Sequence, residues 1–442
     1  MIEIEKFGRV LALGVLLGSL AGCDNLLDVN DPSRFTDADL DNALGAVAVG
    51  VEGELHAAID NNVNNIEIMS DVMMHSGTWA GWDDIDHGRI DYNNDGRSDG
   101  GTGLLRTRFA AQDAQARYTR LEAEGTSISN LLWAQVRVTE GWTDLLLGQW
   151  YCEGPADAGT AAITDMQLYA QARDKLAAAL TVAGGSDFEW WARAGIARAE
   201  LYLGNFAAAD AAASAVLAGA PAGWSKDAQY QTGTLTNSIV QLSTFGFNHA
   251  SAIREKWWAL VDDSELKMND PLSNSLLSLD EPDPRVEIRH EAGVLGVDGT
   301  TDFFSQWKYK NQGSDIPITH LDEMTLIRAE VAWAGGLYAT ARTMLNGLRT
   351  AAGLTPIPDA MADDNAEVLT LLLNERFAEL FMEGHRMGDI QRHGLVSGLI
   401  ADGSFAGTES SRPVKFPISA SEARNNSEMA DDSSQRCLPK VS

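Results

Sequence analysis

Hydrophobic positions recur at helical spacing over much of the chain. Between residues 40 and 60, Leu, Val and Ala return every three or four positions, the stripe of an amphipathic helix. Just ahead, Thr36 and Asp39 have the spacing of a capping box and predict the start of the first helix. A longer amphipathic stretch covers residues 130–150 and includes Leu132, Val136, Trp142 and Leu146. Another, residues 168–183, stops at Gly184-Gly185, as helices commonly do. Two later segments read as copies of one unit. "ARAELYLGNFAAADAAASAVL", from Ala197, and "RAEVAWAGGLYATARTMLNGL", from Arg328, each carry Arg-Ala-Glu on a helix. A turn with Gly and an aromatic (Phe206, Tyr338) follows, then a second Ala-rich helix. Ala197, Ala209, Ala329 and Ala341 stand where paired helices must approach closely. This is the logic of the tetratricopeptide repeat, a helix hairpin that buries its apolar face by stacking on neighbours. Residues 220–320 break the pattern with scattered Gly, Pro, Asn and Asp, short β-branched runs and several tryptophans. They predict loops with short strands or helices. The tail after residue 400 is similar.

Composition narrows the function. The chain has 442 residues, 45% of them apolar, which is globular rather than disordered. A net charge of −30 argues against binding nucleic acid or an anionic membrane surface by charge. It suits a neutral ligand, a cation or a basic patch on a partner. At the N-terminus Lys6 and Arg9 precede the run "VLALGVLLGSLA", residues 10–21. The run is an export h-region, short of the roughly 20 residues that span a bilayer. It ends in "LAGC", small residues directly before Cys23, the pattern a lipoprotein signal peptidase requires. Residues 1–22 are therefore expected to be a signal peptide and Cys23 the lipidated first residue, so that acyl chains anchor the protein. Residues 24–40 read as an extended tether. Cys152 and Cys437 remain, and in an oxidising compartment they are expected to form a disulfide.

Two loops carry candidate binding chemistry. "DYNNDGRSD", residues 91–99, alternates oxygen donors at Asp91, Asn93 and Asp95, turns at Gly96, offers the Arg97 carbonyl and adds Asp99. This is the start of a calcium loop of the EF-hand or dockerin kind, and Ca2+ is the one cofactor the sequence suggests. Position twelve is Thr102, so the bidentate ligand must come from elsewhere, with Asp83, Asp84 and Asp86 nearby. An Asn/Asp/Gly surface turn is the alternative. "SGTWAGWDD", residues 76–84, sets Trp79 and Trp82 in a Gly-rich loop, where an indole face can stack on a sugar ring. Trp257 and Trp307 lie in the irregular segment and are further ligand candidates. Trp190, Trp191 and Trp333 fall on repeat helices and read as core. No nucleophile elbow, zinc-protease helix or phosphate loop is present, and nothing argues for an enzyme.

"NERFAELFMEGHRMGDIQRHG", residues 374–394, completes the picture. Glu375, Arg376, Glu379, Leu380, Glu383, Gly384, His385, Arg386, Asp389 and Arg392 follow the helix motif of the SusD/RagB family, which this chain resembles. "CDNLLDVNDP" is similar to that family's lipidated start. "EPDPRVEI" holds its Asp283, Pro284 and Arg285, "KYKNQGSDIPITHLDEMTLIRAE" resembles the lead into its last repeat, and Pro417, Ile418, Glu422 and Asn425 match its closing pattern. Thr319-His320 depart from the usual basic residue. The resemblance implies a mostly α fold: a single SusD-like domain over residues 23–442. Its repeat hairpins, four in the family, would lie mainly within 40–60, 130–218 and 320–395, and its irregular ligand lobe mainly within 61–129, 219–319 and 396–442.

It also implies a non-catalytic lipoprotein on the exterior of the outer membrane. Such a protein captures an oligomeric nutrient, a glycan or a peptide, for a SusC-type TonB-dependent β-barrel that it covers as a lid. A repeat scaffold without nutrient binding, and a glycosidase using Asp83 and Asp86, are the rival readings. In the 374–394 motif, Glu375, Glu379 and Glu383 are expected on one helical face with Arg376 pairing along the helix. Gly384 would allow a bend, and His385, Arg386 and Asp389 would bond neighbouring backbone. The cluster reads as a structural latch rather than a catalytic or metal site.

Overall fold

A computed structural model describes residues 36–90, 94, 98–254, 257, 283–408, 411–418, 420–429 and 437. The expected signal peptide, Cys23 and most of the expected tether lie outside them. Contacts divide the chain into two compact units, residues 1–46 and 47–442. In the first, Thr36 and Asp39 form the expected capping box. The Thr36 hydroxyl accepts from the Asp39 N–H at 3.2 Å, and the Asp39 carboxylate accepts from the Thr36 N–H at 2.8 Å.

The second unit is mostly α. The helices Ser98–Ala123, Asn130–Trp150, Asp165–Ala183, Asp187–Tyr202, Phe206–Gly219, Leu321–Ala334, Tyr338–Ala351 and Asn365–Glu379 each pack on the next. Their starts are written in the sequence. The Ser129 hydroxyl accepts from the Leu132 N–H, Thr164 and Gln167 cap reciprocally, and Asp364 accepts from the Glu367 N–H. The two repeat copies behave alike. Gly204 and Gly336 turn the chain at φ of 76° and 72°, and Ala197, Ala209, Ala329 and Ala341 are all buried. Helices approach closely at Gly195. A Cβ there would lie 2.6 Å from a Leu176 methyl and 3.0 Å from the Trp142 ring. Between Gly219 and Leu321 the chain leaves the stack to build the irregular lobe. It then returns, so that Leu321–Ala334 packs on Phe206–Gly219.

One stretch differs from expectation. Residues 61–129, expected to lie mainly in the irregular lobe, include the 26-residue helix Ser98–Ala123, and Leu44–Met69 continues well past residue 60. The buried side of the former is Leu104, Ala111, Ala114, Tyr118 and Leu121. Those positions keep helical spacing, but alanine and tyrosine among Arg and Gln make a faint stripe.

Among the described residues, strands pair only as two-stranded antiparallel ribbons. Met73–His75 lies against Ser251–Ile253, Glu153–Pro155 against Ala162–Thr164, Ser225–Ala228 against Ile316–His320, and Ile288–Leu295 against Asp302–Gln306. Cys152 and Cys437 are bonded, with Cα atoms 5.3 Å apart.

Candidate functional site

The 374–394 motif is a hub of buried ion pairs. The helix Asn365–Glu379 ends at Leu380, and a second helix, Arg386–Arg392, follows. The intervening turn holds Met382 at φ 61° and Gly384 at φ 75°. The single helical face expected for Glu375, Glu379 and Glu383 therefore stops short of Glu383. Arg376 does not pair along its own helix. It donates to Asp389 at 2.8 Å and lies 3.7 Å from Glu330, two buried carboxylates that it shares with Arg392. Glu375 accepts from Arg285 at 2.7 Å and Arg349 at 2.9 Å, and Arg285 also reaches Glu379 and Asp283. Arg386, expected to bond neighbouring backbone, clasps both oxygens of the Asp71 side chain, at 2.7 and 2.8 Å.

The turn is fastened from three sides. Gly384 N–H donates to Glu67 at 2.7 Å, its carbonyl accepts from the Trp150 indole at 3.2 Å, and Glu383 accepts from Lys308 at 2.6 Å. Glu383 also lies 3.3 Å from His320, so the departure at Thr319-His320 keeps an ion-pair partner. Burial, then the Arg198 guanidinium 3.4 Å from its ring, holds the His385 imidazole well below its ordinary value. Each of these groups serves another segment of the fold. The space among them is about 10 Å³, which admits no substrate. The cluster fastens the repeat helices to the lobe.

The open chemistry lies elsewhere. Trp79 is 62% exposed and stands at the start of the helix Ala80–Asp86, while Trp82 is 9% exposed beneath it. Their rings meet edge to face at 5.0 Å, and His75 packs on Trp82 at 5.7 Å. The Trp79 N–H donates to His75 Nε2 at 3.2 Å. Burial pushes the His75 pKa down, which favours the neutral ring that can accept this bond.

Two further loops are sewn to this one. Ser76 N–H donates to the Ala250 carbonyl, the Ser76 hydroxyl to the His249 carbonyl, Asp298 N–H to the Ser76 carbonyl and Val297 N–H to the His249 carbonyl, all at 2.8–3.1 Å. Phe247, Leu295 and Val297 on these loops are exposed. Four of the large apolar side chains that face water thus sit on three hydrogen-bonded loops. Periodicity gave no hint of the three added residues, since they flank turns.

Other candidates separate from this platform. Trp257 is fully buried, stacks on Phe377 at 4.0 Å and donates its indole N–H to the Asp71 carbonyl at 2.6 Å. It is a core residue, not a ligand contact, because the hub beneath it needs an apolar roof. Trp307 is half-buried under Arg289 and follows the far end of Asp302–Gln306, roughly 15 Å along the strand from the platform. Asp86 is buried, accepting from His75 N–H and pairing with Arg254, while Asp83 pairs with Arg89 on the surface. They do not converge on a common opening. Asp91, Asn93, Asp95 and Arg97 lie outside the described residues, and Asp99 is placed only as backbone in the helix Ser98–Ala123. Among the described residues no group of three or more His, Cys, Asp or Glu side chains could hold a metal. Asn94 donates to the Gly81 carbonyl at 2.9 Å, beside Trp82.

Comparisons with known proteins agree on the fold. The SusD family model matches residues 275–435. No curated protein is similar enough in sequence to match. Three solved structures are similar over nearly their whole length. A SusD superfamily protein from Bacteroides vulgatus superposes with a TM-score of 0.70 at 14% identity, over 88% of this chain and 97% of its own. Surface glycan-binding protein A from Bacteroides uniformis gives 0.68 at 15%, over 89% and 100%. A SusD-like carbohydrate binding protein from Bacteroides vulgatus gives 0.66 at 15%, over 91% and 98%. Residues 275–435 thus match the SusD family by sequence, and the chain as a whole has the SusD-like fold.

Proposed function

We propose that this protein is a non-catalytic capture lipoprotein that binds a neutral, oligomeric glycan on the Trp79 platform. It then delivers the glycan to a SusC-type TonB-dependent β-barrel of the outer membrane. The observation that carries the proposal is the exposed Trp79 indole, backed by Trp82 and flanked by two loops that bear further exposed apolar side chains. A flat aromatic face held in water suits the C–H face of a sugar ring, with loop carbonyls and amides left for its hydroxyls. Two structures with the same fold are described as a carbohydrate binding protein and a surface glycan-binding protein. In this reading Cys23 carries the lipid on the exterior face. Residues 91–99 bind Ca2+ through Asp91, Asn93, Asp95, Arg97 and Asp99 and brace the platform through Asn94.

Calorimetric titration of a neutral oligosaccharide panel tests the proposal. Trp79→Ala is expected to weaken binding about 30-fold, near 2 kcal/mol for an aromatic anchor, with an unchanged melting curve. Equal affinity in the two proteins, or reducing ends released from the panel, contradicts it. For the partner, the tagged, lipidated chain drawn from gently solubilised outer membranes is expected to bring a barrel with it.

A further inference from the structure

We propose a second saccharide site, independent of the Trp79 platform, in the groove beneath Phe109. The groove encloses about 380 Å³, within the range of small-ligand pockets. Its walls are the helix Ser98–Ala123, the tip of the hairpin formed by Glu153–Pro155 and Ala162–Thr164, and the C-terminal helix Ala420–Asn425. None of these carries the platform loops.

Phe109 is 63% exposed. A bare phenyl ring has no polar tip to justify that position, and its burial by a ligand returns a favourable free energy. The charged groups of the groove already have partners. Arg108 is buried 3.3 Å from Asp144, Arg106 lies 3.3 Å from Glu54, and Glu422 accepts from the Asn426 amide at 3.1 Å. An anionic ligand would find both arginines already paired and would be repelled by Glu422 and by the protein's −30. Besides Glu422, what remains for recognition is uncharged: the Phe109 face, Leu105 and Pro155 on one hand, and on the other the Asn425 amide and the Gln112 carbonyl, the Gln112 nitrogen already donating to Glu140 at 3.2 Å. An apolar plane edged by neutral amides is the chemistry that recognises a neutral sugar, whose ring offers C–H groups on its face and hydroxyls at its rim.

Two of the walls are joined directly, since the Asn426 amide, just after the helix Ala420–Asn425, donates to the Thr160 carbonyl of the hairpin at 2.9 Å. Cys437, further along the chain, is bonded to Cys152, which immediately precedes the hairpin.

The test uses the full mature chain in four forms: wild type, Trp79→Ala, Trp79→Ala with Phe109→Ala, and Trp79→Ala with Phe109→Tyr. The probes are maltohexaose, cellohexaose, xylohexaose, mannohexaose and laminarihexaose, with trialanine as a peptide control, read by saturation-transfer NMR and calorimetry. At least one sugar is expected to bind the Trp79→Ala protein. Phe109→Ala is expected to weaken that binding about 10-fold or more, while Phe109→Tyr retains it. The melting curve of the Phe109→Ala form is expected to match that of its parent, because the ring is exposed. Failure of every sugar to bind the Trp79→Ala protein overturns the second site, whatever the wild type does at the platform. Binding indifferent to Phe109→Ala, or binding of trialanine in place of the sugars, overturns it equally.

Discussion

At the scale of single residues, stability turns on buried charges. Asp71 and Arg386 are both buried and meet through two hydrogen bonds. Arg386→Ala leaves the Asp71 carboxylate inside the fold without its guanidinium, and is expected to cost about 3–5 kcal/mol, read by urea denaturation. A loss within the ~0.5 kcal/mol typical of surface changes contradicts the latch. Glu67 behaves differently. Burial pushes its carboxyl from an ordinary 4.5 up to about 8, against the opposing Gly384 N–H bond. Between those values the folded state keeps a proton that the unfolded state has released, so this group's contribution to stability falls as pH rises from about 4.5 to about 8. Glu67→Gln keeps a carbonyl oxygen for Gly384 and cannot ionise. It is expected to flatten the slope and to exceed wild type in stability at pH 8. Urea melts across that window check it, and an unchanged slope contradicts it.

At the scale of elements, repeats were the most legible feature. Helical spacing, caps such as Thr164 with Gln167, and the small residues at Ala197 and Ala329 are local signals that tertiary packing reinforces. The break between Glu379 and Arg386 was not legible, since nothing in the run of Glu, Phe and Met before Gly384 marks a left-handed Met382. The partners of the motif were equally hidden, because Asp71, Arg285 and Glu330 are distant in sequence. The tryptophan loop could be singled out from its Gly-rich context, but Trp257 could not be told from Trp79, as burial depends on the finished fold. Close helix approach gives this scale its own prediction. Gly195→Val inserts methyl groups against Leu176 and Trp142 and is expected to cost about 1–3 kcal/mol through overpacking. A thermal melt at wild-type temperature would show that the three helices have room to spare.

At the scale of the whole molecule, a stack of helices carries a loop-built face, and a hub of ion pairs fixes one to the other. The covalent tie between Cys152 and Cys437 closes most of the chain, and Cys152→Ser with Cys437→Ser is expected to lower stability by about 2–4 kcal/mol, measured against the oxidised wild type. In the proposed function the transported glycan is held by the three joined loops and not by the helices Asp187–Tyr202 through Tyr338–Ala351. Hydrogen exchange with and without a saturating oligosaccharide from the titrated panel tests it most directly. Slowed exchange is expected at residues 76–82, 247–250 and 295–301. Protection confined to the helices Asp187–Tyr202 through Tyr338–Ala351, with those loops unchanged, would contradict it.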